Sequence, residues 1–157
     1  MKDYVIVTKG FFKGKILEVV EFNIRTATVN IDGLRINLPI YDCESVPCLP
    51  GNYAVAYYAY GYRVLFIEKY VVDYYFDEIF AIDSTGDEHL LADLEPAYEI
   101  NSLAYIKNPF NKNDETKAMI TKYNEDGTVL VDIYANCTDK PIRDFRINYD
   151  DIVECYL

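Results

Sequence analysis

Apolar and polar residues alternate at a period of two in run after run of this chain. No stretch sustains the i, i+3, i+4, i+7 spacing of an amphipathic helix over three turns. Successive side chains of a strand point to opposite faces, so this period dictates sheet, with one face of each strand turned to a core. The chain is read as all-β. The clearest instance is Asp3 to Val46, DYVIVTKGFFKGKILEVVEFNIRTATVNIDGLRINLPIYDCESV. It offers a strand at Tyr4 to Thr8, a loop at Lys9 to Gly14, a strand at Lys15 to Phe22, and two more at Ala27 to Ile31 and Leu34 to Leu38. Asp32 and Gly33 join the last two, and an Asp-Gly pair between alternating runs marks a two-residue hairpin, because the type I′ turn needs positive φ at both positions. Asp42, Cys43 and Glu44 then supply an acidic closing turn before a last short strand.

The same order returns twice. Val46 to Gly51, VPCLPG, holds two prolines and a glycine, a boundary signal. Beyond it Tyr53 falls near Tyr4, Arg63 near Lys15, Leu65 near Leu17, and Phe80 to Ile82 near Val29 to Ile31. The STGD turn falls near Asp32 and Gly33, and Asp93 to Glu95 near Asp42 to Glu44. The third stretch has strands at Leu103 to Lys107, Lys117 to Tyr123 and Thr128 to Tyr134, with a polar loop at Asn108 to Thr116 and a turn at Asn124 to Gly127. A longer loop, Ala135 to Asp144, leads to Phe145 to Asn148, an acidic turn at Tyr149 to Asp151 and a strand at Val153 to Tyr156. Three units follow, residues 1–48, 49–100 and 101–157. Units of about 50 residues bury too little surface to be more than marginal alone. With linkers this short the three are expected to pack together, and Tyr57, Tyr58, Tyr60 and Tyr62 are candidates for that packing.

Val5, Val7, Gly10, Gly14 and Val19, with Leu17 at the place of a third glycine, resemble the KOW motif of alternating valines, spaced glycines and a closing valine. That family is a five-stranded SH3-like barrel found in ribosomal proteins and transcription elongation factors. The resemblance covers about a third of the chain and implies that fold for the first stretch; with the repeated order of strands and turns, three tandem small SH3-like (KOW-like) five-stranded barrels packed together are expected. It also implies an RNA or partner contact at the glycine loop, where Lys9, Lys13 and Lys15, with Arg25 and Arg35, could form a basic face.

Charge separates the stretches. The formal net charge is −11, yet residues 1–46 carry six basic and six acidic side chains and sum to zero. Residues 68–99 carry ten carboxylates against Lys69 alone. Such a field repels phosphate backbones and attracts basic surfaces, so direct nucleic-acid binding by the middle unit is not expected. Its aromatic residues, Tyr70, Tyr74, Tyr75 and Phe76, interleave with carboxylates rather than with Lys or Arg, which suits a protein interface. The expected partner-binding set is Asp73, Tyr74, Tyr75, Asp77, Glu78, Asp83, Asp87 and Glu88.

Several chemistries find no support. The single histidine, His89, has no nucleophile motif beside it, and adjacent carboxylates such as Asp87 and Glu88 point to opposite faces of a strand rather than converging. The glycines form no phosphate-binding fingerprint. Cys43, Cys48, Cys137 and Cys155 contain no CxxC pair and read as reduced, packed side chains. The acidic turns NEDGT and DSTGDE lack the spacing of a calcium loop. No catalytic residue, metal or cofactor is therefore expected. No apolar run is long enough to cross a membrane, and the start of the chain has no export signal, so a cytoplasmic protein is expected. An acidic, Tyr-rich, Trp-free chain of this size resembles the host-takeover and anti-defence proteins of phages, anti-CRISPR inhibitors among them. The expected function is non-enzymatic: occlusion of a basic protein surface, such as that of a nucleic-acid-binding host protein. The alternative is a KOW-type RNA- or ribosome- and transcription-associated protein acting through Lys9, Lys13 and Lys15.

Overall fold

The structure, a computed structural model, describes residues 2–58, 61–73, 75, 78–134 and 140–155, with the backbone alone at 58 and 155. The described chain is all-β, in three five-stranded antiparallel sheets. The first comprises β1 (Asp3–Val7), β2 (Ile16–Phe22), β3 (Thr26–Ile31), β4 (Leu34–Pro39) and β5 (Cys43–Val46). The second comprises β6 (Asn52–Tyr58), β7 (Gly61–Asp73), β8 (Glu78–Asp83), β9 (Glu88–Leu90) and β10 (Leu94–Pro96). The third comprises β11 (Leu103–Lys107), β12 (Glu115–Tyr123), β13 (Thr128–Tyr134), β14 (Ile142–Asn148) and β15 (Ile152–Cys155). No described helix is long and apolar enough to cross a membrane.

Each sheet has the same strand order. Four strands meander, and the fifth returns to pair beside the first, giving β4-β3-β2-β1-β5, β9-β8-β7-β6-β10 and β14-β13-β12-β11-β15. A single 3-10 turn precedes each returning strand, at Ile40–Asp42, Leu91–Asp93 and Tyr149–Asp151. All three turns end in aspartate. The first two lie two residues earlier than the acidic run suggests, because Cys43 and Leu94 already belong to strands. In the third sheet β14 begins at Ile142, ahead of the expected Phe145, and residues 135–139 lie outside the described set.

The repeat extends to an irregularity that periodicity hides. The second strand of every sheet slips its register against the third by one residue, between Val19 and Glu21, Ile67 and Lys69, and Ile120 and Lys122. The extra residues are Val20, Glu68 and Thr121. A bulge bends the strand that carries it and increases its twist. The residue before each bulge, Val19, Ile67 or Ile120, is buried.

Those bulges align the copies. Val19 pairs with Val29, Ile67 with Asp83 and Ile120 with Val131, so Asp83 occupies the core position held by valine in the other two sheets. The expected match of Phe80 to Ile82 with Val29 to Ile31 is corrected accordingly. Val19 and Ile67 are 48 residues apart but Val29 and Asp83 are 54 apart, so six extra residues separate the second and third strands of the second sheet. They lengthen the β7–β8 hairpin, whose last described pair is Asp73 with Glu78.

The chain divides into two compact units: Met1–Ala54 with Phe66–Pro96, and Val55–Leu65 with Ala97–Leu157. In the first, Val5, Val19 and Val29 form a core under Leu17, Ile31, Ile36, Leu38 and Cys43. A second cluster joins Ile6 and Val46 of the first sheet to Ile79 of the second, with Tyr4, Ile16, Tyr70, Val72 and Leu91 around it. Val72 and Ile79 belong to the lengthened hairpin, so the insertion supplies part of the surface that packs the two sheets. Tyr70 also donates its hydroxyl to the Cys48 carbonyl at 2.7 Å.

The second unit is built around buried Ile106, Ile120, Val129, Val131 and Ile133. Beside this core, Tyr62, Tyr98 and Tyr123 gather round Tyr149, and Tyr57 packs on Tyr62. Tyr62 thus packs on Tyr149 of the third stretch and Tyr57 on Tyr62; the side chain of Tyr58 and all of Tyr60 lie outside the described residues. The Asp150 carboxylate accepts the Tyr62 N–H at 2.9 Å. A Cβ on Gly61 would collide with that carboxylate, so this close approach requires glycine.

Candidate functional site

In the first unit a cleft of about 730 Å³ opens between the end of β1, the β5 region and the lengthened hairpin. Thr8, Lys9, Tyr41, Cys43, Glu44 and Ser45 form one side, and Val72, Glu78, Ile79 and the Leu90–Ala92 segment the other. Each wall follows from the strand order. The return of β5 beside β1 sets Cys43, Glu44 and Ser45 next to Val7, Ile6 and Val5, and the six extra residues carry Val72 and Glu78 into reach. Tyr41 (77% exposed) and Leu90 (42%) are large apolar groups left open to solvent at this cleft. Walls about equally polar and apolar, holding two carboxylates and one ammonium group, suit a ligand that is part apolar and part cationic.

The open face of the second sheet continues from this cleft. Along β8, Glu78 is exposed and Phe80 and Ile82 are half-buried on the outer face, while Ile79, Ala81 and Asp83 are buried. Pairing sets Asp73 beside Glu78, Val71 and Leu90 beside Phe80, and Lys69 and Glu88 on either side of Ile82. The result is an apolar strip with two carboxylates at the hairpin end and Glu88 with Lys69 at the other, and Leu90 and Glu78 belong to strip and cleft alike. The two ends, Glu78 and Ile82, are four residues apart on β8, roughly 14 Å at about 3.4 Å per residue.

The sequence-derived acidic set is therefore divided by the fold. Asp73, Tyr75 and Glu78 stand at the hairpin end, with the Tyr75 N–H donating to Asp73 at 2.9 Å. Asp87 and Glu88 are exposed at the β8–β9 turn. Tyr74, Phe76 and Asp77 lie outside the described residues. Asp83 is only 4% exposed, and its carboxylate is turned inward. One oxygen accepts the Thr85 N–H at 2.8 Å, the Thr85 hydroxyl at 2.6 Å and the Asp87 N–H at 3.1 Å; the other pairs with His89 Nε2 at 2.8 Å. Burial pushes this carboxyl up, but the hydrogen bonds from Thr85, His89 and the turn backbone outweigh it and hold the pKa at about 2. Asp83 and His89 thus close a hairpin, and neither lines the cleft.

Of the basic set, Lys9 lines the cleft, so the cationic and anionic faces expected to be separate meet there. Lys13 and Lys15 lie on the neighbouring loop, where the Lys15 ammonium stands 5.9 Å from the Phe12 ring centroid. Cys43 offers no activated nucleophile: burial first, then Asp42 and Glu44, raise its thiol pKa and keep it protonated. Cys48 is likewise raised by burial. Among the described residues no three His, Cys, Asp or Glu side chains converge as a metal ion would need.

Sequence reasoning passed over Tyr41, Glu44 and Leu90. Glu44 reads as part of the closing turn, and the other two are single apolar residues among many. The available signal was the clustering of Tyr41 with Asp42 and Glu44, an aromatic between carboxylates like those of the middle stretch. No protein-family model matches this chain, and comparison with curated proteins finds no relative.

Proposed function

We propose that this is a non-enzymatic binding protein of three SH3-like, KOW-like barrels that occludes a basic surface of a protein partner. Three features support the barrel assignment: the strand order repeated in each copy, the 3-10 turn before each returning strand, and the bulge that curls each second strand. The observation that carries the binding function is the union of apolar strip and cleft on one unit, where Asp73, Glu44, Glu78 and Glu88 outnumber Lys9 and Lys69. Val71, Phe80, Leu90 and Tyr41 supply area to desolvate, and the carboxylates select a cationic partner and reject phosphate. A protein of this kind would act as phage or mobile-element anti-defence inhibitors do, by standing where nucleic acid would lie on a cytoplasmic host protein.

Reversing Asp73, Glu78 and Glu88 to lysine should abolish capture of a basic partner from the source cell while the circular dichroism spectrum stays unchanged. Equal capture by the folded variant would reject the docking surface.

A second reading, RNA binding by the Lys9 to Lys15 loop, is favoured by one observation: Phe11 is 93% exposed between lysines. Binding of single-stranded RNA that falls steeply with salt, and is lost on Lys13→Glu with Lys15→Glu, would support it.

A further inference from the structure

The chemistry that suits the cleft, an apolar group accompanied by positive charge, is present in the chain itself. Thr8 to Ile16 reads TKGFFKGKI, with three lysines and no carboxylate. Phe11, at its tip, is almost wholly exposed, and its ring meets Phe12 edge-on at 5.1 Å. The loop is well braced: the Gly14 N–H donates to the Val7 carbonyl at 2.7 Å, Lys15 N–H to Phe12 at 2.9 Å and Lys13 N–H to Gly10 at 3.2 Å. Phe11 is presented by a loop already ordered, so little further ordering is lost when it is buried.

Loop and cleft also adjoin. Lys9 begins the loop and lines the cleft, and Thr8, beside it, donates its N–H to the Asp42 carbonyl at 2.8 Å. Two complementary patches side by side on one molecule satisfy a two-fold axis, because the rotation sets each loop against the other copy's cleft and closes the contact. We propose that the protein forms a symmetric dimer in which Phe11 of each copy enters the other's cleft. There it packs between Tyr41, Val72 and Leu90, while Lys13 and Lys15 face Glu44 and Glu78. This inference rests on the cleft being a docking site but needs no foreign partner, and it makes self-association and partner capture mutually exclusive.

Sedimentation equilibrium of the full chain from micromolar to millimolar concentration at low salt tests it. The expected result is a monomer–dimer equilibrium that weakens with salt, and at least about tenfold on Phe11→Ser or Glu78→Lys. Charge exchange supplies the stricter arm. A chain carrying Lys13→Glu and Lys15→Glu, and another carrying Glu44→Lys and Glu78→Lys, should each be monomeric and should form a heterodimer when mixed, because each loop then meets a cleft of opposite sign. A monomer at all concentrations overturns the proposal, as does a dimer indifferent to Phe11→Ser and Glu78→Lys, or a mixture that fails to associate. Loss of oligouridine binding by a monomeric chain on Phe11→Ser would also overturn it, assigning the loop to RNA. A monomer whose Glu78→Lys variant still loses a basic partner would end self-association alone and leave the docking function standing.

Discussion

The β3–β4 and β8–β9 hairpins occupy the same place in two copies of one strand order, yet they turn by different chemistry. In the first, the strands run on to Ile31 and Leu34, and the backbone alone closes the turn, with Asp32 at φ 50° and Gly33 at φ 83°. The position facing the bulged strand is Val29, wholly buried. In the second, the strand stops at the equivalent residue, Asp83, whose carboxylate turns back to gather the N–H of Thr85 and Asp87, the Thr85 hydroxyl and the His89 ring. One core site therefore accepts either a branched hydrocarbon or a carboxylate, provided the local turn supplies the donors. A buried charge at such a site is tolerated through its partners and not through the cavity it fills.

Exchanging the two solutions should break the equivalence most severely. Val29→Asp buries a carboxylate where no donors are arranged, and should cost roughly 4 kcal/mol or more, leaving a largely unfolded first unit by urea denaturation. Asp83→Ala strips the second hairpin of its acceptor and leaves the His89 ring and two turn N–H groups unpaired. A loss of about 3 kcal/mol is expected, and a urea midpoint within error of the parent would remove Asp83 from its structural role.

Acid should separate the hairpins next. The Asp83 carboxyl has a pKa of about 2 in the folded protein against an ordinary 3.8, so the folded state binds this proton less readily than the unfolded chain. Its contribution is complete above the ordinary value, drains as pH falls between the two, and is gone below the lower one. Solvent at the turn screens part of the effect, leaving about 1 to 2 kcal/mol. The difference in stability between the parent and Asp83→Asn should shrink over that interval, and a difference constant with pH would contradict the linkage. The smallest effect belongs to the backbone-made turn. Gly33→Ala meets no atoms within contact distance, so it pays only for a left-handed alanine, about 1 kcal/mol. A larger loss would mean that the turn is packed.

The strand alternation, the Asp32–Gly33 turn and the acidic residues before each returning strand were legible because each is local: a period, a dipeptide, a short charge run. The bulges were not. An extra residue at Val20, Glu68 or Thr121 leaves the letters alternating on either side, and its presence is set by pairing with a strand elsewhere. That hidden slip displaced the match of the second copy by three residues and left Asp83 counted among surface carboxylates. Its own signal was present in DSTGDEH, where an Asp is followed by Thr at two, Asp at four and His at six residues on, a pattern of donors returning to one acceptor. The cleft was half legible: the aromatic and acidic composition of residues 70–78 marked the lengthened hairpin, but its opposing wall, Tyr41 and Glu44, comes from a different copy of the repeat.

The tyrosine assembly of the second unit has an optical consequence. The chain contains sixteen tyrosines and no tryptophan, so its near-ultraviolet dichroism arises chiefly from phenol rings. Tyr98 and Tyr149 lie 5.3 Å apart between ring centroids with their planes 14° from parallel; Tyr62 and Tyr123 adjoin Tyr149, and Tyr57 adjoins Tyr62. Rings so close and so fixed couple their transitions, which weights that spectrum toward one of the two compact units. The protein thus carries a built-in chromophore for local melting: near-ultraviolet signal lost while the far-ultraviolet sheet spectrum persists would report the opening of that unit, with no dye attached.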